Sequence, residues 1–154
     1  MMGGGQEELQ QLSQEIQALD EEIEELEGEI RGYRSEKAEI DDAIEAIKTL
    51  EPDSTVQVPL GGGAYIRAEI QDVDEVIVDL GADYAAEQAE DGAIGALETK
   101  QDLMDDRIDK TGDELAELQE ESQQLEEQAQ QMQQQMQQQQ MQQMQQMQGD
   151  GPDE

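Results

Sequence analysis

The side chains that could take part in chemistry are almost all carboxylates. The sequence has 41 Asp and Glu residues, no His and no Cys. Without imidazole or thiolate, Ser-His-Asp and Cys-His triads are excluded, as is a zinc site that needs those ligands. Pairs of carboxylates occur throughout the chain, so no pair stands out as a general acid and base. A solvated acidic face is the simpler explanation, and we predict that the protein is not an enzyme.

Two local patterns resemble known ligand sites but lack the residues or the spacing that those sites need. Gly61-Gly62-Gly63 is not followed by Lys-Ser or Lys-Thr, so it is not a phosphate-binding P-loop. Asp72, Asp74 and Asp79 do not have the spacing of a calcium-binding EF-hand loop. We therefore expect neither a metal nor a cofactor, and we expect the three glycines to supply the positive φ of a hairpin turn.

The charge balance limits the classes of partner. The net charge is −33, with only 8 Lys and Arg residues. Nucleic acids and anionic membranes bind surfaces rich in Lys and Arg, so we expect neither as a partner. The repulsion among so many carboxylates is largely screened at about molar salt, where the Debye length is about 3 Å. We therefore expect a protein of a salt-rich cytoplasm, the alternative being an ordinary acidic coiled coil. No apolar run is long enough for a signal peptide or a membrane span.

Heptad patterns predict two long helices. From Leu9 to Ile47 apolar residues recur every three and four positions, which is typical of a coiled coil. We place this helix at residues 6–51, ended by Pro52, after a disordered start at residues 1–5. A weaker pattern predicts a second helix at residues 91–136, with Asp91 as its N-cap. Residues 137–154, rich in Gln and Met and then acidic, are expected to form a flexible tail.

An antiparallel pairing aligns the two heptad patterns. In this register Leu9 faces Met132 and Ile44 faces Leu97, with the turn between the helices at the centre of the chain. Lys37 and Gln101 form a polar layer of the kind that fixes register in coiled coils.

Flanking charges differ along the predicted coiled coil. Near the central turn they are complementary, and we expect Arg34 to pair with Asp105. Near the termini they are alike, as where Glu22 faces Glu121. The terminal end of the coiled coil should therefore be looser and depend on salt.

The stretch between the helices, residues 55–88, predicts two β-hairpins. Alternating apolar residues are broken twice by Gly-containing turns. Residues 84–87 could instead begin the second helix. Pro59 lacks a backbone N–H, so we expect its strand to lie at an edge or to have a bulge there. Isolated hairpins are marginal in water, so we expect pairing with other chains. The side chains expected to carry this oligomerisation are Val56, Val58, Ile66, Ile70, Val76, Val78 and Leu80.

The hairpin stretch carries a resemblance to a known family. Residues 58–70 read VPLGGGAYIRAEI and residues 74–81 read DEVIVDLG. This pattern resembles the α-type subunits of archaeal prefoldin, and the resemblance extends over about residues 6–136. It implies an α+β fold in which a long antiparallel coiled coil carries two central β-hairpins that form an oligomeric β-barrel platform. It also implies a heterohexamer of two α-type and four β-type subunits, which captures unfolded proteins between its coiled-coil tips without ATP and delivers them to a group II chaperonin.

Client binding is expected at the terminal end of the coiled coil, about 60 Å from the hairpins by helix rise. The candidate residues are Leu9, Leu12, Ile16, Leu125, Met132 and Met136. For the outer methionines, from Met141 onward, a solvated helix end without a role is about as plausible as flexible apolar contact. The alternative function is a coiled-coil spacer or tether that oligomerises through its hairpins and has inert tips.

Overall fold

The computed structural model describes residues 3–81 and 84–149, with the side chains of residues 4–79 and 89–149. The elements follow one another as α1 Gly3–Thr49, β1 Thr55–Gly61, β2 Ala64–Glu69, β3 Val76–Gly81, β4 Tyr84–Gln88 and α2 Glu90–Gly149. This is the predicted α+β order of helix, two hairpins and helix. The chain divides into two compact units. We call Ile30–Asp109 the hairpin unit, and the residues up to Glu29 together with those from Lys110 onward the terminal unit.

The core of the hairpin unit joins both helices to the second hairpin. Its buried side chains come from three successive heptad positions of α1, from the start of α2 and from β3. They are Ile40, Ile44, Ile47, Val78, Ala93 and Leu97. The heptad pattern had marked all the helical members except Ala93, which lies four residues before Leu97 on α2. The core therefore fixes β3 against the paired helices.

Both hairpins are antiparallel and form separate two-stranded sheets. In the first, Val58 pairs with Ile66, and the register shifts between Pro59 and Gly61, which confirms the expected bulge. Gly61, Gly62 and Gly63 all have positive φ, between 61° and 99°, as the turn requires. In the second hairpin, β4 pairs with β3, so residues 84–88 form a strand and do not begin α2. Residues 82 and 83 lie outside the described part of the chain.

Both ends of α1 differ from the sequence prediction. α1 begins at Gly3, so Gly3, Gly4 and Gly5 belong to the helix and not to a disordered start. Residues 1 and 2 lie outside the described residues. α1 ends at Thr49, two residues before the predicted boundary, where Leu50 N–H donates to Ile47 O at 3.3 Å. The turn that follows has positive φ at Asp53 and is tied to the end of β2 by Asp53 N–H donating to Ile70 O at 2.8 Å.

The start of α2 also differs from the prediction. Asp91 is not the N-cap, because α2 begins at Glu90 and Ala93 N–H donates to Ala89 O at 2.8 Å. Asp91 and Glu90 instead lie in the first turn, where a negative charge interacts favourably with the helix dipole.

α2 continues far beyond the predicted boundary at residue 136. It ends at Gly149, so the Gln- and Met-rich part of the expected flexible tail is helical. Gln and Met are good helix formers, and neither Gly nor Pro occurs between Gly112 and Gly149. Low sequence complexity had concealed this propensity. Residues 150–154, expected to be disordered, lie outside the described residues.

The terminal unit pairs the first part of α1 with the second part of α2 in the predicted register. A Cβ added at Gly5 would lie 3.6 Å from Met136 Sδ. Ser122, a buried seam residue of α2, donates from its Oγ to Asp20 Oδ1 at 3.3 Å. The apolar seam residues of α1 in this unit, from Leu9 to Leu26, are half-buried. None of the helices among the described residues is long and apolar enough to cross a membrane.

Candidate interaction surfaces

The first hairpin has an apolar face that is open near the turn and half-buried at Val56 and Ala68. Cross-strand partners lie on the same side of a sheet, so Val58 with Ile66 and Val56 with Ala68 share a face. Val58 and Ile66 are exposed, and so is Leu60 at the end of β1. The opposite face carries the polar pairs Thr55 with Glu69 and Gln57 with Arg67, and nearer the turn the pair of Pro59 with exposed Tyr65. An amphipathic hairpin with an open apolar face is a surface that another chain could cover.

The second hairpin uses its apolar residues within the chain. Val78 is only 4% exposed and belongs to the core of the hairpin unit, and half-buried Val76 packs against that core. Both had been expected to mediate oligomerisation. Ile77 points to the other side of the strand and is 67% exposed, although the sequence had not singled it out.

Two of the expected oligomerisation residues lie elsewhere. Ile70 is half-buried just after β2, and its N–H donates to Ser54 O at 2.9 Å. The side chain of Leu80 lies outside the described residues.

A polar layer crosses the coiled coil inside the hairpin unit. Lys37 Nζ forms an ion pair with Asp105 Oδ1 at 2.6 Å. Gln101 Nε2 donates to Asp41 Oδ1 and, at 3.4 Å, to Lys37 O. The hydrogen bond that Lys37 donates to Asp105 raises the pKa of Lys37 above its usual value, and the negative charges of Asp105 and Asp41 act in the same direction. The structure thus contains the predicted layer of Lys37 and Gln101.

The ion-pair partners near this layer differ from those expected. Asp105 binds Lys37, not Arg34, because the long Lys stem lets its ammonium reach the flank from a seam position. Arg107 lies over the ring of Tyr33, with its Cζ 5.9 Å from the ring centroid. This distance is that of a cation–π contact.

The six candidate client-binding residues all lie in the seam of the terminal unit. Each is half-buried, so in this conformation each gives part of its apolar surface to the other helix. The residues are Leu9, Leu12, Ile16, Leu125, Met132 and Met136. Leu12 and Met132 form the apolar part of an open depression whose rim is Glu and Gln. A second depression, around Leu26 and Leu118, is lined by acidic side chains from both helices, Glu22, Glu25, Glu114 and Glu117.

Among the described residues of the terminal unit, the most exposed large apolar side chains lie on the outer part of α2. Met141, Met144 and Met147 are between 70% and 83% exposed. The sequence had left their role open, and their spacing of three residues was the signal that could have marked them as one face of a helix. Among the described residues, no cluster of acidic, His or Cys side chains has the arrangement of a metal site.

These features define a class of protein: a coiled-coil chain whose first hairpin leaves an apolar face open. A family model described as "Prefoldin subunit" matches residues 19–148, which include most of both helices and both hairpins. The chain belongs to the prefoldin family, a family of chaperone subunits.

Relatives place the chain beside the alpha subunits of that family. It is 70% identical over 111 residues to prefoldin subunit alpha of Halorubrum lacusprofundi, covering 72% of this chain and 73% of the relative. It is 65% identical over 106 residues to prefoldin subunit alpha of Haloquadratum walsbyi, covering 68% and 69% of the two chains. Both relatives are haloarchaeal, in agreement with the salt adaptation predicted from the net charge.

A solved structure has a similar fold. A chain of filamentous prefoldin from Methanocaldococcus jannaschii matches with a TM-score of 0.51 and 25% identity, covering 77% of this chain and 95% of that one.

Proposed function

We propose that this chain is a subunit of an ATP-independent holdase, which captures unfolded proteins in the cytoplasm and delivers them to a group II chaperonin. The observation that carries the proposal is the family match over residues 19–148, because it includes the hairpins as well as the heptads. Heptads alone would suit many coiled-coil proteins.

Assembly is proposed to use the open face of the first hairpin. Val58, Leu60 and Ile66 are exposed there, and a two-stranded sheet gains stability from further strands. The proposed partners are β-type prefoldin subunits, four for every two copies of this chain, in a shared β-barrel platform. Val76 and Val78 are assigned to the chain's own core, so their effect on assembly would be indirect.

Client capture is proposed for the terminal unit. The seam there is weakened by small or polar partners, because Leu19 lies opposite Ser122 and Leu12 opposite Ala129 in the coiled-coil register. Parting of the helices would release the half-buried seam residues to a non-native chain. Several weak contacts from several subunits can then hold a client that one subunit would not.

Two measurements test this proposal together. The first is the mass of the assembly formed by the full chain and its β-type partner in molar KCl, where a heterohexamer is expected. The second is light scattering of a denatured protein diluted into buffer with or without the assembly, where suppression of aggregation is expected. A dimer that leaves aggregation unchanged would favour the alternative function of a spacer or tether.

Delivery to the chaperonin needs its own test. Client held by the assembly should move to a purified group II chaperonin, as followed by co-elution of a labelled client. Retention of the client by the assembly would contradict delivery while leaving holdase activity intact.

A further inference from the structure

The polar layer lies where the packing of the coiled coil changes. On α1, the apolar seam residues from Leu9 to Tyr33 are half-buried, and those from Ile40 to Ile47 are buried. Lys37 is the seam residue between these two groups. On α2, Gln101 follows Leu97, a member of the core, by four residues. The polar layer therefore borders the core of the hairpin unit on the side nearer the chain termini.

Side chains of both helices hold the polar layer together. Lys37 on α1 forms its ion pair with Asp105 on α2 at 2.6 Å. Gln101 on α2 donates hydrogen bonds to the side chain of Asp41 and to the backbone of Lys37, both on α1. Because each of these contacts crosses from one helix to the other, the helices cannot part at this level without losing all of them.

Fewer polar contacts join the helices nearer the termini. Arg107 of α2 lies over the ring of Tyr33 of α1, next to the polar layer and still inside the hairpin unit. Among the described residues of the terminal unit, the hydrogen bond between the helices is the one from Ser122 to Asp20, at 3.3 Å. Parting of the helices that begins in the terminal unit therefore meets little polar resistance before it reaches Tyr33.

Salt acts on the terminal unit and on the polar layer in opposite directions. As KCl falls from about 1 M to about 0.1 M, the Debye length grows from about 3 Å to about 10 Å. Glu25 of α1 and Glu114 of α2 line one depression in the terminal unit, so the repulsion between them grows. The attraction between Lys37 and Asp105 grows under the same change. Low salt thus loosens the terminal unit and tightens the polar layer.

We propose that the polar layer is a stop for helix parting, which confines the parting to residues on its terminal side. The buried residues Ile40, Ile44 and Val78 then stay packed while the half-buried seam residues before Lys37 separate from α2. Because this core holds β3 against the helices, the hairpins keep their support when the terminal unit opens. The inference goes beyond the proposed function, since it concerns the chain without any client, and a complex that lacks holdase activity could still have the stop.

The test is amide hydrogen exchange, followed by mass spectrometry, of the complex with its β-type partner at about 3 M and about 0.1 M KCl and without a client. D41A/D105A removes the carboxylates that bind Gln101 and Lys37. D42A/D106A is the matched control, because it removes the neighbouring carboxylates, which are exposed and form no ion pair among the described residues. Both variants lose the same negative charge and gain the same helix propensity.

The stop predicts a loss of protection that depends on both the variant and the salt. At about 0.1 M KCl, amides of residues 40–47 and 93–97 should exchange about tenfold faster in D41A/D105A than in the original complex. The control should match the original. At about 3 M KCl the terminal unit stays closed, so the exchange rates of these amides in the three complexes should lie within about threefold of one another.

Several outcomes would overturn the proposal. Equal protection in D41A/D105A and the control at low KCl would show that the apolar core alone stops the parting. A loss of protection in D41A/D105A that is the same at both KCl concentrations would show that the polar layer only adds stability to the core. If circular dichroism at about 3 M KCl shows less helix in D41A/D105A, then D41N/D105N and its control D42N/D106N replace the Ala variants, with the same expected direction of change.

Discussion

Replacing Val78 by Ala should destabilise the chain itself, whereas the same replacement at Val58 should act on assembly. Both are Val residues on hairpin strands, and the alternating pattern gave them the same expected role. Val78 is 4% exposed among Ile40, Ile44 and Leu97, whereas Val58 is 41% exposed on the open face of the first hairpin. The two substitutions thus form a matched pair that differs mainly in burial.

The expected magnitudes follow from that burial. Val78→Ala removes two buried methyl groups at about 0.8 kcal/mol each, and the cavity left behind raises the cost to about 2 kcal/mol. Val58→Ala should cost about 1 kcal/mol or less in the full chain without its partner, because solvent already reaches much of that side chain. With a slope of about 2 kcal/mol per molar urea, the Val78 variant should unfold at a urea concentration lower by about 1 M.

The assay is urea unfolding of the full chain in molar KCl, followed by circular dichroism, alongside the mass of the mixture with the β-type partner. Val78→Ala should lower the midpoint and, where the chain is still folded, leave the mass unchanged. Val58→Ala should leave the midpoint nearly unchanged and weaken assembly. Equal midpoint shifts for the two variants, or a larger shift for Val58→Ala, would refute the assignment of Val78 to the core.

Three further predictions concern the polar layer, the salt dependence and the hairpin turn. Asp105 raises the pKa of Lys37, so the contribution of this ion pair to stability is fully present below the ordinary Lys pKa and is lost as pH rises through the raised value. The difference in urea midpoint between the original and K37Q should therefore shrink as the pH rises above the ordinary Lys pKa, and a constant difference would contradict this. Lowering KCl should raise amide hydrogen exchange in the terminal unit before the hairpin unit, because Glu25 and Glu114 line one depression and their repulsion is no longer screened. Uniform protection of both units at low salt would contradict this prediction. Gly62→Ala should cost about 1–2 kcal/mol of stability because φ at Gly62 is 61°. Nothing lies within 4 Å of the added Cβ, so this cost is conformational and not a steric clash, and Gly62→Asn should cost less. Equal urea midpoints for the two variants would argue against a conformational cause.

Periodicity predicted the helical seams well because burial in a coiled coil repeats with the sequence. Every apolar heptad position from Leu9 to Ile47 is buried or half-buried, and the polar layer at Lys37 and Gln101 is present. The glycine run was equally informative, because few residues other than Gly adopt a positive φ, and Gly61, Gly62 and Gly63 all do so. In both cases the signal is local, so the sequence alone contains it.

The features that could not be predicted depend on contacts between distant parts of the chain. Alternation marks the apolar side of each hairpin but does not say whether that side meets the chain's own helices. That choice separates Val78 from Val58. Ion-pair partners depend on side-chain reach, so a seam residue such as Lys37 can take Asp105 before the flanking Arg34 does. The helical state of the Gln- and Met-rich tract was missed because its composition indicated disorder more strongly than its propensity indicated helix.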